Sequence, residues 1–185
     1  MSLPFLDQPI VVALPRASLA ALRAALLRDS GPDAAGLLQE AGYAGGPALF
    51  TSFGQWLRRR GEPEPEQLDV TRFEQLASEY FAEGGWGSFT LRTLHDAVAT
   101  VDSDDWWEDA IVGDSDHPGC DFTVGLFASF FGQVAEEPLA VLQVEFRAAG
   151  SPRSRFLVGS AEMLEHVYQR LADGAEYEGA VAAVA

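Results

Sequence analysis

The sequence is poor in cysteine, in positive charge and in long apolar runs, and each shortage excludes something. A single cysteine, Cys120, rules out an internal disulfide. The opening MSLPFLDQPIVVALPR has no basic segment and no small-residue cleavage site, so it does not read as a secretory leader. With neither leader nor disulfides, the cytoplasm is the expected compartment. Twelve basic residues stand against 28 acidic ones, a formal net charge of −16. Nucleic-acid phosphates and anionic membrane surfaces would be repelled. The apolar run Phe122 to Gly132 is well short of the roughly 20 residues that a transmembrane helix needs, so no membrane span is expected.

What remains is a globular composition. Hydrophobic residues make up 48% of the chain and charged ones 22%, with 12 Phe and 4 Trp; a disordered acidic chain would have few aromatics. One core can serve 185 residues, so residues 1–185 are expected to form a single domain. Ile10 to Leu14 reads as a short strand or extended lead-in. ASLAALRAALLRDSG (17–31) puts Leu19, Leu22, Leu26 and Leu27 at helical spacing and ends at Gly31. A second helix is expected in PDAAGLLQEAG, stopping at Gly42. A third follows in GGPALFTSFGQWLRRR (45–60), its closing arginines suited to the negative end of the helix dipole.

After the loop GEPEPEQ (61–67), Asp69 caps a helix with Phe73, Leu76, Tyr80 and Phe81 on one face, broken at GGWG (84–87). SFTLRTLHDAVATVDS predicts one or two strands turning near His95–Asp96, and DDWWEDAIVGDSDHPG (104–119) is irregular, acidic and aromatic. PLAVLQVEFRAAG and SPRSRFLVGS predict a β-hairpin around Ala148–Pro152. Ser160 caps a last helix with Met163, Leu164, Val167 and Leu171 inward, and the tail 176–185 adds a short helix or frays. This order of elements is that of an α+β domain rather than of alternating βαβ units.

Motifs with chemistry are few. GGWG leads into a strand, not a helix N-terminus, so it is a helix stop rather than a phosphate loop. Counted as a calcium loop from Asp102, the chain has Trp107 where glycine is needed; counted from Asp114, it has Pro118 and Gly125 at ligand positions. His117 and Cys120 could offer two metal ligands where zinc needs three or four. A turn into a helix with Cys120 near its start is the simpler reading, with a reactive thiol as the alternative. No G-x-S-x-G elbow occurs.

The stretch CDFTVGLFASFFGQV (120–134) carries more information. Projected at 100° per residue, Gly125, Ala128, Ser129 and Gly132 share one arc, while Phe122, Val124, Leu126, Phe127, Phe130 and Phe131 fill the rest. One side admits another backbone closely; the other presents large rings. The rings either pack in the core or line an apolar pocket.

Several segments together resemble the 4-vinyl reductase domain family: LPRASLAALRAALLRDSG, GLLQEAGYAGG, FEQLASEYFAEGGWGSFTL, CDFTVGLFASFFGQV, VLQVEFRAAG and SRFLVGSAEMLEHVYQRLADGAEY. That family shares a fold group with trafficking-complex subunits of the TRAPP type and with heme-based nitric oxide sensors. The family-like region covers residues 10–175. The resemblance implies helices packed on an antiparallel sheet, a homodimer, and a pocket for a small hydrophobic molecule, in a sensor or carrier. Phe122, Phe127, Phe130 and Phe131, then Trp86 and Phe89, are the residues expected to contact the ligand. Many members hold zinc through cysteines. Here Glu145 and Gly150 match that pattern, but Ala148 and Arg155 stand where cysteines belong. No cofactor is therefore expected, and none of His95, His117 and His166 is assignable as a heme ligand. An enzyme or accessory protein for a tetrapyrrole or aromatic substrate, and an assembly module without ligand, are the rival readings.

Overall fold

The computed structural model describes residues 11–112 and 117–183. The chain runs through α1 (Arg16–Ser30), α2 (Ala34–Arg60), α3 (Val70–Glu83), β1 (Thr90–His95), β2 (Val98–Ser103), the one-turn α4 (Asp109–Val112), α5 (Asp121–Ala135), β3 (Ala140–Glu145), β4 (Ser154–Gly159), α6 (Ala161–Ala172) and α7 (Tyr177–Ala182). The strands form one antiparallel sheet in the order β1-β2-β4-β3. The class is therefore α+β, with helices on an antiparallel sheet. Strand alternation divides the core into two layers. Val101, Phe156 and Val158 meet α5, while Val98 and Leu157 meet Leu164 and Val167 of α6 and Val181 of α7. Asp69 and Ser160 cap their helices by accepting from the N–H groups of Arg72 and Met163. Among the described residues no helix is long and apolar enough to cross a membrane.

One local reading is corrected. Gly42 does not stop a helix: α2 runs unbroken for 27 residues through Gly42, Gly46 and Pro47. Proline removes one helical donor, and the Thr51 hydroxyl donates back to the Pro47 carbonyl at 2.9 Å. The leucines of α1 do not form a buried face. Leu22 and Leu27 are 58% and 44% exposed, and the residue this helix buries is Arg23. The Arg23 guanidinium crosses to the segment before α5, donating to the Gly119 carbonyl at 2.8 Å, with the Asp121 carboxylate 3.7 Å away. A long-range polar partner has overridden the local apolar period. Of the segment read as a short strand or extended lead-in, Ile10 lies outside the described residues, and residues 11–15 form no strand.

The glycines of α2 serve packing. A Cβ built on Gly42 would lie 2.0 Å from the Phe122 carbonyl oxygen, and one built on Gly125 would lie 1.9 Å from the Gln39 carbonyl oxygen. Opposite Gly46 sits Ser129 of α5. The two helices thus cross with backbone against backbone along the small-residue arc read from the sequence. That close approach turns the other side of α5, with its rings, toward α3 and the sheet.

Candidate functional site

Once α5 is fixed, its rings divide into two groups. Phe127 and Phe130 are fully buried and pack on protein. Phe127 has its ring centroid 4.9 Å from that of Trp106 and 5.5 Å from that of Phe156, and Phe130 lies 5.1 Å from Phe81 and 5.8 Å from Phe53. Phe89 is buried beside Phe81, Trp106, Phe127 and Phe131. Most of these pairs are edge-on or tilted, the arrangement favoured by the ring quadrupole. Phe131 closes the core at the C-terminal end of α5, where it faces an apolar hollow of about 530 Å³ shared with Phe73, Leu91, Val101 and Leu139.

Phe122 and Trp86 lie elsewhere, at the N-terminal end of α5. They stack at 6.2 Å with 23° between their planes, and Trp107 stands edge-on to both, 5.6 Å from Trp86 and 6.1 Å from Phe122. The three rings form a cup that lines a cleft of about 310 Å³, completed by Leu19, Arg16, Gly84, Gly85 and residues 11–14. The backbone holds the cup together: Trp107 N–H donates to the Trp86 carbonyl at 2.8 Å. Gly87 makes this possible, because at φ 120° a Cβ there would lie 2.9 Å from both the Asp105 carbonyl oxygen and the Trp106 Cα. The GGWG stretch therefore ends α3, places Trp86 and admits the 105–107 segment. Trp106 and Trp107 point apart, the first into the core and the second into the cleft.

Behind the cup lies a polar network for which the sequence offers no local signal. Cys120 precedes α5 but caps nothing with its side chain. The work is done from a distance. Glu108, 1% exposed, accepts from Phe122 N–H at 3.1 Å, Thr123 N–H at 2.9 Å and the Thr123 hydroxyl at 2.6 Å. The same hydroxyl accepts from the Trp106 indole at 2.6 Å. Gln143 Oε1 accepts from the N–H groups of Gly119 and Cys120, both at 3.1 Å. Free helical donors are met in this way by side chains of other elements. Burial pushes the Glu108 carboxyl up to about 7, against the pull of the Thr123 and Phe122 donors. Burial also pushes the Cys120 thiol up, reinforced by the neighbouring Glu108 and Asp109 carboxylates, and the thiol donates to Asp109 Oδ1 at 3.4 Å. The arrangement is opposite to that of a helix-terminal thiolate nucleophile.

The residues present do not fit the zinc implied by the family resemblance. Cys120 meets Asp109 and Gln143 on the α5 side of the sheet, and the Ser154 hydroxyl donates to the same Asp109 carboxylate at 2.6 Å. Glu145 is committed on the other side, accepting from Arg153 at 2.9 and 3.0 Å and from the Tyr177 hydroxyl at 2.7 Å. Arg155, at an expected cysteine position, forks onto Asp102 at 2.6 and 2.7 Å and donates to Tyr177 at 2.7 Å. An arginine-centred network that docks α7 thus stands where the resemblance leads one to expect a cysteine. Among the described residues no three His, Cys, Asp or Glu side chains gather as a metal site would require.

No family model and no curated protein matches the sequence. Solved structures do. The phenol-responsive sensory domain of the transcription activator PoxR, determined with phenol, matches with a TM-score of 0.67 at 18% identity, over 88% of this chain and 82% of that one. A vinyl-4-reductase family protein from Methanocaldococcus jannaschii matches with a TM-score of 0.53 at 13% identity, over 80% and 82% of the two chains. The chain has the vinyl-4-reductase fold. The same fold extends to a trafficking protein particle complex subunit 3 from Naegleria fowleri, covalently bound to palmitic acid, with a TM-score of 0.52 at 11% identity over 78% and 93%. Within the vinyl-4-reductase fold of this chain, Trp86 and Phe122 are the expected ligand residues that share a cleft. Trp107, Arg16 and Leu19 join them without having been singled out. The adjacent tryptophans in DDWWED were the one available signal for Trp107.

Proposed function

We propose that this chain is a cytoplasmic binding module for small apolar molecules, held in the cleft at the N-terminal end of α5. The observation that carries the reading is the Trp86–Trp107–Phe122 cup, three rings facing a cleft of about 310 Å³. That volume lies at the lower end of the small-molecule range. Affinity would come from removing ligand surface from water, about 25 cal/mol per Å². Support also comes from the PoxR sensory domain, a protein of the same fold that responds to phenol. Among the described lining residues there is no histidine, cysteine, serine or carboxylate, the groups that most often move protons or attack substrates. This favours binding over catalysis.

Two tryptophans in the wall make the test direct. Titration with phenylpropanol is expected to give a saturable change in tryptophan fluorescence, and Trp86→Ala is expected to weaken binding about tenfold, the scale of one lost aromatic contact plus its burial. No saturable response to phenylpropanol, phenol or indole would overturn the reading. We infer further that the module is a homodimer, seated on the exposed leucines Leu22 and Leu27 of α1 and Leu37 of α2. Light scattering is expected to give twice the chain mass of 19.9 kDa, falling to one chain mass in Leu22→Glu.

A further inference from the structure

Among the described residues, the polar side-chain atoms of the cleft are all of one kind. Arg16, Trp86 and Trp107 contribute N–H groups, and the other described lining side chains are aliphatic, phenyl or absent. Among the described residues the lining therefore offers donors, from Arg16 and Trp107, and no side-chain acceptor. Arg16 spends one nitrogen on the Gly85 carbonyl, at 2.6 Å, which also occupies that backbone acceptor. A guanidinium has five N–H donors, so most of its capacity is left over, and among the described residues Arg16 forms no ion pair. That is notable in a chain of net charge −16, where ten arginine–carboxylate contacts form among the described residues. Trp107, 5% exposed, has a buried Nε1 without an acceptor, the second donor in this wall that the protein leaves unmatched.

We propose that the cleft takes apolar molecules ending in a carboxylate, the apolar body lying against Trp86, Trp107 and Phe122 and the carboxylate on Arg16. The assignment rests on the reading of the cleft as a ligand site and names the chemistry of the ligand. A carboxylate only accepts hydrogen bonds, matching described lining side chains that only donate, and a guanidinium meets its two oxygens as a fork. The acidity of the rest of the molecule does not cancel this. Exposed charges beyond about 8 Å are largely screened at physiological salt, so the wall decides.

Phenylpropanoate and phenylpropanol share a skeleton and differ in the terminal group, and calorimetric titration of both separates the two levels of the proposal. The carboxylate is expected to bind about tenfold more tightly than the alcohol, the scale of one charge-assisted pair, with the margin narrowing as salt rises. In Arg16→Gln the margin is expected to vanish, the carboxylate falling to the affinity of the alcohol, while the ring contacts with the cup still bind both skeletons. Equal binding of both probes to wild type, or a margin that survives Arg16→Gln, overturns the carboxylate assignment and leaves the ligand site standing. Failure of both probes to bind wild type overturns the site as well. The wild-type comparison and its salt dependence need no variant, so they decide the matter even where Arg16→Gln loosens α1.

Discussion

Gly125→Ala is expected to abolish the cooperative unfolding transition of the native state, with Gly42→Ala close behind. Each added methyl would enter the backbone of the facing helix, at 1.9 Å from the Gln39 oxygen or 2.0 Å from the Phe122 oxygen. Neither obstacle is a side chain that can rotate away. The helices must part along a crossing that also positions Leu126, Phe127 and Phe130, all fully buried. Overpacking a core costs about 1–3 kcal/mol where side chains can shift, and a backbone obstacle lies above that range. Against a total stability of about 5–15 kcal/mol, the loss is decisive. Gly36→Ala in α2 is the control, because nothing lies within 4 Å of its added Cβ. It should stabilise by up to about 1 kcal/mol, the difference between the two residues inside a helix. A melting temperature for Gly125→Ala within a few degrees of wild type would refute the close crossing.

Glu108→Ala should be the next most damaging change. It strands two buried N–H donors, those of Phe122 and Thr123, and empties a site that is 1% exposed. Each orphaned donor costs about 1–3 kcal/mol, so a loss of about 3–5 kcal/mol in a urea titration is expected. Glu108 also predicts a pH dependence. With its carboxyl raised from 4.5 to about 7 by burial, the folded state holds a proton between those values that the unfolded chain releases. Its stabilising contribution is complete below about pH 4.5 and declines as pH rises toward 7, by about 3 kcal/mol in all, then levels off. Glu108→Gln, uncharged throughout, should remove that slope. Parallel stability–pH curves for wild type and Glu108→Gln between pH 5 and 8 would show that the carboxyl titrates normally.

The contrast between Gly125 and Gly42 shows where local pattern suffices. Gly125 could be read correctly because it shares an arc with Ser129 and Gly132 inside an otherwise bulky helix, so the neighbours on its own helix reveal the role. Gly42 stands in a stretch where glycine is as good a stop as a contact. Only the facing Phe122 carbonyl, 80 residues along the chain, decides between them. Arg23 outweighs Leu22 and Leu27 for the same reason: its acceptor at Gly119 is remote. The two strand pairs and the helix caps at Asp69 and Ser160 were legible because their periods and partners lie within a few residues. Of the cleft, Trp86 and Phe122 were legible as members of conspicuous stretches. Trp107 and Glu108 were not, since their segment has no period and each side chain is defined by what it meets in α5. Phe127 and Phe130 pack on Trp106, Phe81 and Phe53, ring partners on other segments that the periodicity of one helix does not reveal.

Trp107 and Glu108 are consecutive, one forming the cup and the other holding the first turn of α5. Swinging the indole outward would drag on a carboxylate anchored by three hydrogen bonds and on the Trp86 carbonyl as well. The wall is therefore stiff before anything enters it. A guest finds its shape already set, loses little to ordering the host, and is selected by fit rather than accommodated.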